Sequence, residues 1–227
     1  MKRPQTNLPE GNRTGMAVAP DLAKELLDGV NRFSPEPDLD TSAAAAVRAT
    51  YVAEGVATGS LPATDDPSMA QLLDKLGARL AFERSGVRLY DALIQKRQAI
   101  KGAAKPTVAD LQHIRDEEHE HMSILEECIL DLGGDPTVVT PAADITATMT
   151  SGVLKVVSDP RTTIPQCLDA ILAAELIDND CWGVLVSMLR EQGEDEAVSD
   201  FEEALLEEQE HLKMVRGWIL AESAPAA

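Results

Sequence analysis

The sequence predicts an all-α fold: a four-helix bundle of two helical hairpins joined by a long crossover and preceded by an N-terminal extension. Three observations predict it. Apolar residues recur at steps of three and four along four long segments, the period of a helix with one buried face. Ala and Leu dominate a hydrophobic content of 44%, while aromatics make up only 3%, which suits helices better than sheet. A pattern of acids and histidines occurs twice, Glu83 before Glu118-x-x-His121 and Glu175 before Glu208-x-x-His211. The lone Glu precedes its pair by 35 residues in the first copy and by 33 in the second, about the length of one hairpin.

The elements follow in order. Residues 1–67 form the extension, with seven of the chain's 13 prolines and two segments of weak helical character, Asp21 to Phe33 and Thr41 to Thr58. The domain proper is expected over 68–222, followed by a short tail, 223–227. Its first helix, about Ser68 to Gln98, carries the stripe Met69, Leu73, Leu76, Leu80, Glu83, Val87, Tyr90, Ile94. Gly102 and Pro106 break the chain, and Thr107 with Asp110 has the form of a capping box for the second helix. That helix reads Leu111, Ile114, Glu118, His121, Leu125, Cys128, Leu132 and ends at Gly133-Gly134.

The link over 133–163, with a short helix expected from Ile145 to Val157, is far longer than a connection between neighbouring helices needs. It suits a chain crossing the whole bundle. The third helix, about Thr163 to Gln192, reads Ile164, Leu168, Ile171, Glu175, Asp178, Trp182, Leu185, Leu189. Gly193 makes a tight turn into the fourth, about Asp195 to Glu222, with Phe201, Ala204, Glu208, His211, Val215 and Trp218 on its stripe.

The net charge of −19 argues against nucleic acid and against anionic membranes as partners. Three cysteines without a C-x-x-C pair leave neither a disulfide framework nor a thiolate zinc site, and buried free thiols are expected. No secretory leader and no apolar run of membrane-spanning length is visible, so a cytoplasmic location is expected.

All six residues of the doubled pattern fall on apolar stripes. An unpaired carboxylate in a core costs several kcal/mol, and four converging ones would also repel one another. Two divalent cations would supply four positive charges against the four carboxylates, with neutral imidazoles completing the set. Residues three apart on a helix share a face, so each Glu-x-x-His can hold one ion. Mixed oxygen and imidazole donors, without thiolate, suit iron or manganese better than a structural zinc. No Lys or Arg stands on these stripes to pair with the acids. Glu117, His119, Glu120, Glu207 and Glu210 lie off the stripes and are read as surface charge, as is His113.

Glu83, Glu118-x-x-His121, Glu175 and Glu208-x-x-His211 resemble the di-iron ligand set of the ferritin-like superfamily, which includes bacterioferritins, rubrerythrins and di-iron oxidases. The resemblance covers about residues 68–222. It implies that Glu118 and Glu208 bridge two metals, with Glu83 and His121 terminal on one and Glu175 and His211 terminal on the other. Asp178 lies where rubrerythrins carry an additional carboxylate that takes part in peroxide chemistry. Being shorter than Glu, it is expected to ligate or to hydrogen-bond a histidine or a metal-bound water. Tyr90, seven residues after Glu83, resembles the near-site tyrosine of bacterioferritins, which could supply an electron or proton; an ordinary core tyrosine is the alternative. Trp182 holds the matching place after Glu175 and is expected to be core. No rubredoxin module and no assignable haem methionine is present, and the extension is atypical of cage-forming ferritins.

Function expected from this pattern is a di-iron oxidoreductase reacting with O₂ or H₂O₂, as a ferroxidase or peroxidase. An external electron donor and a homodimer or higher homo-oligomer are expected with it. The alternatives are an iron-storage or buffering subunit, a di-iron hydroxylase of an organic substrate, and a non-catalytic module whose metals hold the bundle together.

Overall fold

A computed structural model describes residues 64–100 and 105–222. The helical segments expected near Asp21 and Thr41, and the tail at 223–227, lie outside the described residues. The described residues form five helices: α1 (Pro67–Ala99), α2 (Val108–Asp131), α3 (Pro141–Ser158), α4 (Ile164–Gln192) and α5 (Asp195–Glu222). Hairpins α1/α2 and α4/α5 pack together through α1 on α4 and α2 on α5, with α3 laid along α1 and α4. This is the ferritin-like arrangement, two hairpins and one crossover.

Local chemistry fixes the ends. Asp66 Oδ1 accepts from the Ser68 amide (2.9 Å) ahead of α1, and Pro67 occupies a position where a missing N–H costs nothing. Thr107 and Asp110 form the expected capping box on α2, and Thr163 with Gln166 forms a second one on α4. Gly193, at φ +78°, supplies the left-handed residue that turns α4 into α5.

The crossover is more helical than its sequence suggested. Thr140 caps α3 and Pro141 starts it, so the helix begins four residues before Ile145. Asp74 of α1 accepts from the Ala142 amide (2.9 Å), which clamps the start of α3 against α1. At the other end, Lys96 Nζ donates to the carbonyls of Asp159 (2.7 Å) and Thr162 (2.9 Å) and so fastens the loop into α4.

Two apolar clusters fill the interior. One gathers Leu89, Leu93, Leu111, Ile114, Leu168 and Val215; the other gathers Leu72, Leu76, Leu125, Leu189 and Phe201. Between them the stripes turn polar at mid-helix, where all six residues of the doubled pattern are buried. Cys128 and Cys167 are buried as expected, but Cys181 is exposed, because it lies on the outer face of α4 rather than on its stripe.

Leu76 is fully buried in the second cluster. Leu76→Ala is expected to destabilise the bundle by about 2–5 kcal/mol through lost burial and a residual cavity, measured by urea unfolding.

Candidate metal centre

The polar layer is built from the middle of the four bundle helices. α1 contributes Glu83, α2 Glu118 and His121, α4 Glu175 and Asp178, and α5 Glu208 and His211. Glu208 stands between the two imidazoles: its Oε1 is 2.8 Å from His121 Nδ1 and its Oε2 is 3.4 Å from His211 Nδ1. Neither contact has hydrogen-bond alignment. Three sets of potential ligand atoms lie within 4.8 Å of one another: Glu83, His121 and Glu208; Glu118, Glu208 and His211; and Glu83, Glu118, Asp178 and Glu208. Glu208 is in all three sets, and Glu83 and Glu118 are each in two. Glu175 is in none of them, because its Oε1 accepts a short hydrogen bond from the Tyr90 hydroxyl.

The supporting contacts cross between hairpins. Seven residues after Glu83, Tyr90 reaches Glu175; seven after Glu175, Trp182 reaches back to donate from Nε1 to Glu83 Oε1 (3.1 Å). Trp182 therefore does more than pack. Its ring also stands edge-on to His121, with centroids 5.2 Å apart. The distal ring nitrogens are exchanged too: His121 Nε2 meets Glu207 Oε2 (2.9 Å) and His211 Nε2 meets Glu117 Oε2 (2.8 Å).

Two expectations are corrected here. Glu117 and Glu207 are not solvated charge; each is half-buried and faces the histidine of the opposite hairpin, as an orienting carboxylate does beside a metal-bound imidazole. The rotation of about 100° per residue takes them off the stripe, but only to the seam between α2 and α5. His119, Glu120 and Glu210 do face solvent, and so does His113. A cation is also present among the acids. Arg79, one helical turn before Glu83, is buried, with Nε 2.9 Å from Glu83 Oε1 and Nη1 2.9 Å from Asp178 Oδ1. Its guanidinium lies 3.9 Å from the centre of the Phe82 ring. Asp178 thus engages an arginine, not a histidine. The spacing Arg79-x-x-x-Glu83 was the available signal for this pair.

A glycine completes the layer. A Cβ on Gly86 would come within 2.1 Å of Glu118 Oε2, so the absent side chain is what admits that carboxylate.

Electrostatics separates the acids. Burial, reinforced by Glu83 and Glu208, pushes Glu118 well above the usual carboxylate range, and burial with Glu208 pushes Glu175 up to about 8. Burial opposes the charge on Glu208 as well, but contact with the two histidines outweighs it and holds this carboxyl at about 2. Burial would likewise lower the imidazoles, yet their carboxylate partners raise His121 to about 9 and His211 to about 10. Tyr90 is raised well above 10 by burial and the Glu175 carboxylate.

The residues fit a metal pair on a structural criterion. Buried atoms without a hydrogen-bond partner include both histidine Nδ1 atoms, both Glu208 oxygens, and one oxygen each of Glu83, Glu118 and Glu175. Such atoms are rare in folded proteins and call for an explanation. Arg79 offsets Asp178, so four carboxylates remain for two divalent cations.

A model of the ferritin-like domain matches residues 101–221, just over half of the chain. The chain belongs to the ferritin-like family. The match spans α2 to α5, while α1, with Glu83, precedes it. The ferritin-like bundle and its buried carboxylate and histidine cluster are compatible with a di-iron protein. No curated protein and no solved structure matches the chain. No helix among the described residues is long and apolar enough to cross a membrane.

Stability of the metal-free chain should depend on pH in a defined direction. Groups whose pKa rises on folding stabilise the fold below their ordinary values, 6.5 for His and 4.5 for Glu, and lose that contribution as pH rises through the folded values. His121, His211, Glu118 and Glu175 all act in this sense, and Glu208 acts oppositely only toward pH 2. The melting temperature of the chelator-treated protein is therefore expected to fall as pH rises from about 7 to about 10. A melting temperature that climbs over that interval would contradict this electrostatic account.

Proposed function

We propose that this chain is a di-iron carboxylate oxidoreductase that acts on O₂ or H₂O₂, with manganese as an alternative metal. The observation that carries the reading is the convergence of unpartnered donor atoms: two Nδ1 atoms and the free oxygens of four carboxylates. In this reading Glu83, Glu118, His121, Glu175, Glu208 and His211 would together hold the two ions. Iron would supply a reversible one-electron couple at each position.

The chain's own residues set the conditions for that couple. Glu117 and Glu207 hold the distal ring nitrogens of His211 and His121, which leaves each Nδ1 directed inward. Trp182 orients Glu83, and Tyr90 holds Glu175 with a hydroxyl whose proton stays in place at neutral pH. In this reading Tyr90 is the residue nearest to hand for supplying a proton or an electron, and Asp178 tunes the centre through Arg79. The apolar clusters on either side exclude water. Reducing equivalents come from a separate donor, since the chain carries no paired C-x-x-C motif.

Anaerobic addition of Fe²⁺ to chelator-treated protein should give about two ions per chain, followed by visible absorption on admission of air. Binding should release about two or more protons per chain at pH 7, because the ligands are metallated only when deprotonated. Calorimetry in buffers of different ionisation enthalpy measures this. Glu118→Ala should abolish the two-ion stoichiometry. Gly86→Ala should leave the metal-free fold within about 1 kcal/mol, since Ala favours helix, but should weaken uptake of one ion by about tenfold or more through displacement of Glu118. A chain that takes up neither Fe²⁺ nor Mn²⁺ would sink the proposal.

A further inference from the structure

Behind Arg79, on the side away from the carboxylates of Glu83 and Asp178, a cavity of about 320 Å³ opens between α1, α3 and α4. That volume is at the small end of ligand pockets, ~300–1,000 Å³. Its walls are mainly apolar, and Ile145, Met149, Ile177 and Val184 around it are exposed, Met149 by 60% and Val184 by 52%. Large apolar side chains gathered at one opening mark a place where apolar matter is bound.

Charge narrows the class of ligand. In a chain of net charge −19, no Asp or Glu among the described residues lines this cavity, and the charged residues that do are Lys75 and Arg79. Arg79 already meets Glu83 through Nε and Asp178 through Nη1, its buried Nη2 has no hydrogen-bond partner among the described residues, and its guanidinium carbon lies 3.9 Å from the centre of the Phe82 ring. Lys75, one turn outward on the same face of α1, is exposed and has no ion-pair partner among the described residues. An anionic group at Lys75 with an apolar body directed inward satisfies both features.

We propose that this cavity binds a small amphipathic monocarboxylate, its carboxylate at Lys75 and its apolar body between α1, α3 and α4. The far end of that body abuts Arg79, the residue that separates the cavity from the acidic layer. The ligand is thereby placed as an organic substrate or reductant for the centre. That placement rests on the di-iron reading; the binding itself does not.

Decanoate serves as the probe, titrated by calorimetry into the full-length, chelator-treated chain. Saturable binding at one per chain is expected, with decyltrimethylammonium, which carries the opposite head group, weaker by about tenfold or more. Acetate, which lacks the apolar body, should not bind. Lys75→Glu, on an exposed residue, should weaken decanoate by about tenfold or more, and Thr146→Trp, which fills the cavity, should abolish binding with the helical circular dichroism retained. Absence of decanoate binding by the full chain overturns the proposal, whether another part of the chain or a second copy covers the opening. Equal binding of the cationic analogue overturns it, as does binding indifferent to both substitutions. Decanoate binding without any iron uptake would leave the pocket standing and remove the di-iron function; iron uptake without decanoate binding would do the reverse.

Discussion

The repulsion among carboxylates buried at mid-bundle is the constraint on which the rest of the structure depends. Five acids lie within the layer between two apolar clusters, where burial alone raises the free energy of each charged form. Every neighbour of that layer answers the problem in some way. Two imidazoles flank Glu208, a guanidinium joins Glu83 to Asp178, an indole N–H reaches Glu83, and a phenol reaches Glu175. Still, both oxygens of Glu208 and one of each other Glu remain without a hydrogen bond. The layer's own imidazoles, guanidinium and raised carboxyls settle much of that charge and still leave these donor atoms without a hydrogen bond.

The answers come in reciprocal pairs. Each lone Glu is held by the aromatic residue that follows the other lone Glu by seven positions. Each histidine is oriented by the acid that precedes the Glu of the opposite hairpin's Glu-x-x-His pair. Neither hairpin can therefore complete its half of the layer alone, so the same contacts that shape the centre also hold the hairpins together. Among the described residues, Lys96 and Arg97, farther along α1, hold backbone carbonyls of the loops, while Arg79 stands inside the layer one turn from Glu83.

Fold and ligand candidates were legible in the sequence because both depend on helical period, and period survives in a string of letters. Stripes with steps of three and four located α1, α2, α4 and α5 to within a residue or two and set all six candidates on buried faces. Contacts between helices were not legible, since they depend on how two helices are rotated against each other. Glu117 and Glu207 read as solvent-facing on their own helices and become partners only across the α2–α5 seam. Arg79 was passed over because an isolated arginine beside a stripe ordinarily extends to water. The start of α3 carries a local signal, Thr140 followed by Pro141, but its docking on Asp74, 66 residues before Thr140, is reported by none.

The two halves of the layer are related by the repeat but are not equivalent, and the differences all point to one side. Three residues after Glu83 comes Gly86; three after Glu175 comes Asp178. Four residues before Glu83 comes Arg79; four before Glu175 comes Ile171, a core residue. The first half therefore trades a side chain for room, which Glu118 occupies, while the second half adds an acid that needs a cation to accompany it. Glu83 faces a guanidinium and an indole N–H, whereas Glu175 accepts from a neutral hydroxyl and, despite the nearby His211, is pushed up to about 8 by burial and Glu208. The surroundings of Glu83 and His121 therefore differ from those of Glu175 and His211, and an apolar cavity lined in part by Arg79 opens between α1, α3 and α4. One half of the repeat thus holds its acid with a guanidinium and an indole where the other relies on a phenol, and Arg79, which stands where the second half has Ile171, accounts for much of that difference.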